Sequence, residues 1–208
     1  LNHMLKLSEG GREGCCPNTR SFATVIDAWA RSGDRRAYDN AMRVFQQMQN
    51  MKSRGHSEVE PTTPFYNSLM NALAVSDIPD KAPQAYKMLL ELENRAHSGE
   101  VDLTPDTQSY GSVLKACSRS SLRGSPKRKD EALRIALMTF EKLRKAPGVP
   151  IDSYKYTPLF TVIEQCTKGE TYIKLITEVF RLCCEDGVLG DNHLHNLRRF
   201  APKDVFRN

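Results

Sequence analysis

The sequence contains no run of apolar residues approaching the ~20 needed to span a bilayer, and its mean hydropathy is −0.52. A membrane-spanning helix is excluded on that ground. With 12 Gly and 11 Pro scattered through 208 residues, the chain is neither collagen-like nor low-complexity, and 39% hydrophobic residues are too many for a disordered tail. No HExxH, no Walker loop and no GxGxxG occurs. Gly10, Gly11 and Gly14 precede Pro17 with no phosphate-binding Lys-Ser or Lys-Thr after them, so they read as a loop. His193 and His195 are two residues apart and would diverge on a helix. The acidic pairs Asp130 with Glu131 and Glu185 with Asp186 lack companions. The expectation is a chain with no metal, no cofactor and no catalytic residues, while a catalytic domain outside these residues stays open.

The six cysteines, Cys15, Cys16, Cys117, Cys166, Cys183 and Cys184, contain no CxxC. Two vicinal pairs and two singletons suit neither a secreted disulfide framework nor a tetrahedral zinc site. Cys117, Cys166 and Cys183 fall on apolar helical stripes, where a thiol behaves as a small hydrophobe. A reducing compartment is expected. The chain begins at Leu1 rather than Met, and is expected to be a segment of a longer protein from which any targeting peptide is already missing.

A length of 208 residues fits one or two globular domains, and equally a short array of helical repeats. The net charge of +5 and pI near 8.9 are compatible with nucleic acid as a partner. The charge is uneven: residues 119–129 (RSSLRGSPKRK) carry 5 basic residues and no acid, and are expected to form a solvated loop.

Internal repetition decides the architecture. Phe22, Val25, Ile26 and Trp29 are spaced i, i+3, i+4, i+7, one apolar face of a helix. The same spacing recurs as Tyr66, Leu69, Met70, Leu73; as Tyr110, Val113, Leu114, Cys117; and as Tyr156, Leu159, Phe160, Ile163. The leading aromatics lie 44, 44 and 46 residues apart. A second helix follows each first one, with quartets Ala41, Val44, Phe45, Met48; Ala85, Met88, Leu89, Leu92; Ala136, Thr139, Phe140, Leu143; and Ile176, Val179, Phe180, Cys183. Asn18, Thr62, Asp106, Asp152 and Asp191 stand where N-caps belong, and Gly55, Gly99, Gly148 and Gly187 lie where C-terminal turns belong. One helix pair cannot bury its own apolar face, so the pairs must stack. The expected fold is all-α: an α-solenoid, or superhelix, of helix-turn-helix repeats over 19–62, 63–106, 107–152 and 153–191. Residues 1–18 read as the tail of a preceding repeat, and 192–208 as the start of a following one or a C-terminal helix.

The stretches SFATVIDAWARSG (21–33), NAMRVFQQM (40–48), FYNSLMNAL (65–73) and TPDTQSYGSVLKACSRS (104–120) share an order: aromatic, polar residue, apolar pair, then Ala and an apolar-Phe-x-x-Met motif, with Pro-Asp at the junction. This order resembles the pentatricopeptide repeat family over about residues 17 to 191. The tetratricopeptide pattern does not appear at its spacing. The units here, at 44, 44, 46 and 39 residues, are longer than the family's, with the excess in loops.

The resemblance implies a binder of single-stranded RNA, one base per repeat, on the concave face of first helices. It implies organellar transcript processing, stability or translation, and a location in the mitochondrion or chloroplast. Base reading would fall to the residue after each leading aromatic and the last residue of the unit: Ala23 with Thr62, Asn67 with Asp106, Gly111 with Asp152, and Thr157 with Asp191. By the resemblance, Asn67 with Asp106 reads uridine and Thr157 with Asp191 reads guanosine, although Pro158 follows Thr157 inside the helix. Ala23 and Gly111 bring no side-chain hydrogen bond, so their repeats would read weakly or not at all. Bases would stack on the second residue of each unit, here Arg20, Pro64, Gln108 and Tyr154 in place of the usual Val; Arg31 and Arg119 match the family's phosphate-contacting position. The absent Val and the two side-chain-poor reader positions keep a second expectation open: a protein-interaction scaffold or subunit of an organellar ribonucleoprotein. Neither expectation includes a membrane or fixes an oligomeric state.

Overall fold

The computed structural model describes residues 1–10, 12, 14–56, 59–99, 103–122 and 124–188, with the backbone alone at positions 8, 9 and 153. The described residues form nine helices and no strand: α1 (Asn2–Glu9), α2 (Thr19–Arg31), α3 (Ala37–Ser53), α4 (Thr63–Val75), α5 (Lys81–His97), α6 (Thr107–Leu122), α7 (Pro126–Lys145), α8 (Ser153–Cys166) and α9 (Gly169–Glu185). The helix expected over residues 192–199 lies outside the described residues.

Local chemistry sets the ends. Asn18 caps α2 by accepting the Ser21 backbone N–H at 3.0 Å. Asp106 accepts the Ser109 N–H at 2.9 Å, and Ser109 Oγ accepts the Asp106 N–H at 3.1 Å, a reciprocal capping box at the start of α6. Thr62 and Asp152 occupy the corresponding N-cap positions of α4 and α8 without a side-chain cap bond. At the other end, Gly55 and Gly187 adopt φ of 98° and 66°. Their turns close by the paired bonds His56 N to Met51 O with Gly55 N to Lys52 O, and Val188 N to Cys183 O with Gly187 N to Cys184 O. This left-handed exit favours glycine at C′.

The basic stretch expected as a loop over 119–130 is mostly helix. α6 runs to Leu122 and α7 starts at Pro126, leaving three residues between them. Lys and Arg are good helix formers, and Pro at N1 loses no needed N–H. The charge run reflected solvation, not the backbone.

Packing follows the two lattices. α2 with α3, α4 with α5, α6 with α7 and α8 with α9 pack as consecutive pairs, and α2 on α4, α4 on α6 and α6 on α8 stack as a row of first helices. Among second helices, α5 packs against α7, less closely than the first helices pack on one another. Every quartet residue is buried except Val25, Trp29, Phe45, Met88 and Phe180, which are half-buried against the same core. Burying each large apolar side chain contributes ~1.5–3 kcal/mol.

The leading tyrosines also carry a polar tie from first helix to second. Tyr66 Oη donates to Glu91 at 2.9 Å and accepts from Arg95 at 2.9 Å. Tyr110 donates to Glu93 at 3.4 Å, which Lys142 also holds at 2.7 Å; Tyr156 donates to Asp186, which Arg144 holds at 3.1 Å. Burial, with the neighbouring carboxylates, pushes the Tyr66 and Tyr110 phenols up to about 12.

One stripe position is mismatched. Thr139 is fully buried on α7, and its hydroxyl has no partner among the described residues. Thr139→Val keeps the shape and removes the unsatisfied group, so it is expected to stabilise the fold by about 1–2 kcal/mol. A urea midpoint that rises at unchanged slope would show this. A lower midpoint would mean that the hydroxyl is satisfied in solution.

Candidate functional site

The first residue of each of the first three units ties its helix to the connection that closes the unit. Thr19 Oγ1 accepts from Glu60 N at 3.1 Å, Thr63 Oγ1 donates to Thr104 O at 3.0 Å, and Thr107 Oγ1 donates to Pro150 O at 3.1 Å. These ties hold the first turns of α2, α4 and α6 in one register. The next residues in sequence, Arg20, Pro64, Gln108 and, on α8, Tyr154, are all exposed, and Tyr154 presents 73% of its surface. A row of exposed side chains on successive first turns is what stacking on bases would need.

The pair Asn67 and Asp106 meets directly, although 39 residues separate the two. Asn67 Nδ2 donates to both carboxylate oxygens of Asp106, at 3.0 and 3.2 Å. Its Oδ1 accepts from Ser109 Oγ at 2.7 Å. Asn67 is only 4% exposed, and its donor and acceptor are both engaged within the protein. Asp106 is the accessible member, lining a shallow open groove with Thr62, Thr63, Pro64 and Thr104. A ligand in that groove would meet the carboxylate before the amide.

The other pairs differ from this one. Ala23 is half-buried against the core and Thr62 makes no cap bond, so that pair presents little polar chemistry. Gly111 lies under the side chain of Lys155, whose ammonium stands 3.6 Å from Asp152 Oδ2. Thr157 is partly exposed, and its carbonyl accepts from Thr161 Oγ1 at 2.9 Å. α8 continues through Pro158. Asp191 lies outside the described residues.

The two arginines are not equivalent. Arg31 is paired with Asp27 one turn back, at 2.9 Å. Arg119, in the last turn of α6, is exposed and makes no ion pair among the described residues. It lines a polar cavity of about 390 Å³ with Arg35, Asp77, Lys81 and Arg128, at the edge formed by the turns within helix pairs. Arg35 pairs with Asp77 at 3.5 Å and Arg128 with Asp80 at 3.3 Å, while Arg119 and Lys81 pair with no carboxylate among the described residues. Lys81 is buried with its ammonium on the Ser76 carbonyl, and Lys115 donates to Asn71 at 2.7 Å. Burial and the nearby Arg119 guanidinium push both lysines below the usual range, opposed at Lys81 by Asp77. The local field is positive, and an anion would be favoured there.

Lys81, Lys115, Arg128 and Lys155 were not singled out by sequence. A signal existed for Lys115: it follows Asn71 by one period of 44 residues, the same place in the next unit, and the two are hydrogen-bonded. Among the described residues, no group of three or more His, Cys, Asp or Glu could hold a metal, and no helix is long and apolar enough to cross a membrane. The described cysteines are free thiols, and burial pushes that of Cys117 far up.

No protein-family model matches the chain, and no curated protein matches it.

Proposed function

We propose that this chain is part of an α-solenoid of pentatricopeptide-type repeats that binds single-stranded RNA along its row of first helices. Direct stacking of first helices, with looser contact among second helices, supports a curved array whose inner face is that row. The observation that carries the reading is Arg119: a guanidinium with no ion pair among the described residues, set among other cations in the last turn of a first helix whose second residue is exposed at the opposite end. The family resemblance makes the RNA that of a mitochondrion or chloroplast, and the role processing, stability or translation. No catalytic step is assigned to these residues.

A second reading, a scaffold within an organellar ribonucleoprotein, is favoured by one specific observation. Asn67 is buried and satisfied by Asp106 and Ser109, so the best-matched reader offers a base little of its own.

Fluorescence anisotropy of a short single-stranded RNA against the 208-residue chain at several salt concentrations separates the two. Each neutralised phosphate contributes about −0.7 to the slope of log K against log salt. Arg119→Ala is expected to make that slope shallower by about 0.7 and to weaken binding to all sequences alike. No binding would reject the RNA reading in favour of the scaffold, and binding with a slope that Arg119→Ala leaves unchanged would remove Arg119 from the phosphate contacts.

A further inference from the structure

Gly111 has no side chain to show a base, yet the space beside it is filled. A Cβ at Gly111 would lie 2.9, 3.1 and 3.2 Å from the Cε, Cδ and Nζ atoms of Lys155. Lys155 reaches from the first turn of α8 onto α6, and its side chain is 16% exposed. It holds the same place in its unit as Ser109, which closes over Asn67 in the unit before. There, donors and acceptors are matched. Here they are not. The ammonium stands 3.6 Å from Asp152 Oδ2, beyond hydrogen-bond distance. Asp152 Oδ1 is buried with no hydrogen-bond partner among the described residues, and the side chain does not cap α8. Three ammonium protons and one carboxylate oxygen, Asp152 Oδ2, thus face each other on the first-helix row without a hydrogen bond between them.

We propose that Lys155 and Asp152 together form a base-selective site at the third repeat, and that the base it prefers is guanine; this rests on the RNA-binding reading above. The Watson–Crick edge of guanine carries one acceptor, O6, beside two donors, N1–H and N2–H. A single carboxylate oxygen has two lone pairs, so Asp152 Oδ2, the oxygen facing the ammonium, accepts the two adjacent N–H groups together, while the ammonium donates to O6. Uracil offers one N–H between two carbonyls, cytosine one amino group beside two acceptors, and adenine one amino group beside a ring acceptor. None of the three supplies the second donor. Tyr154, exposed on the same turn as Lys155, supplies a ring face for the base to stack on. The glycine is what admits the lysine stem, so Lys155 is a specificity-determining residue contributed by the following repeat.

The test measures the affinity of the full chain for a ten-nucleotide oligouridine and for the same RNA with one central uridine replaced by G, A or C. The single-G RNA is expected to bind about tenfold tighter than oligouridine, with A and C giving no such gain. Lys155→Met keeps the apolar stem over Gly111, and Asp152→Asn keeps the shape of the carboxylate. Each is expected to bring the G-to-U ratio close to one, with unfolding by circular dichroism confirming that both variants fold. Arg119→Ala should lower both affinities and leave the ratio standing. RNA bound without preference for G, or a preference that survives both substitutions, overturns this site alone. Failure to bind any of the four RNAs overturns the RNA-binding reading and this site with it.

Discussion

Asp106→Ala is expected to lower the unfolding free energy by about 2–4 kcal/mol, although the residue is exposed and lies at a helix end. Two losses combine. The carboxylate accepts the Ser109 N–H at 2.9 Å, and losing such an N-cap costs about 1 kcal/mol. It also receives the Asn67 amide, a group 4% exposed, which would be left in the interior without an acceptor. An unsatisfied buried donor costs about 1–3 kcal/mol. Asn67→Ala alone removes the amide and leaves the cap, so the double variant should cost less than the two single variants added together. A coupling of about 1 kcal/mol or more in that cycle, read from urea unfolding, would establish the pair as a tie between α4 and the start of α6. Additive losses would show instead that the two side chains act separately, as independent base readers in solution would.

That pair shows what sequence reading reaches and where it stops. Each lattice of apolar residues at i, i+3, i+4, i+7 located a helix, because burial on one face imposes that period whatever the neighbours are. The N-cap positions and the glycine exits were equally local, and Asn18, Asp106, Gly55 and Gly187 behave as their chemistry requires. Asn67 is different. It stands on a first helix as a polar residue, which suggests a solvated or ligand-facing side chain. Its burial comes from Asp106 at the end of its own unit and Ser109 at the start of the next, and so depends on how closely α6 docks on α4. Gly111 carried the same ambiguity: the missing side chain was visible, and its replacement by a lysine 44 residues later was not. The basic run misled for another reason, since charge reports exposure and α7 is exposed along that turn while remaining helical. Thr139 sits on an apolar lattice position, and nothing local distinguishes a buried orphan hydroxyl from a tolerated one.

The largest loss of stability from a single truncation is expected at Leu114. It is fully buried on α6, the helix that touches α4, α5, α7 and α8 at once. Leu→Ala at such a site removes the transfer energy of the side chain and leaves a cavity, a cost of about 2–5 kcal/mol. Position in the stack adds a second consequence. In an array held by nearest-neighbour contacts, damage to a central unit weakens the coupling between the two ends, whereas damage at an end frays locally. Ile176→Ala, equally buried but on α9, which packs on α8, tests the contrast. Leu114→Ala should lower the urea midpoint and also the slope, as α2 to α5 and α7 to α9 begin to unfold in separate steps. Ile176→Ala should remove helical signal early, while the main transition moves little. Equal shifts of one cooperative transition in both variants would mean that the helices share a single core and do not form a row of coupled units.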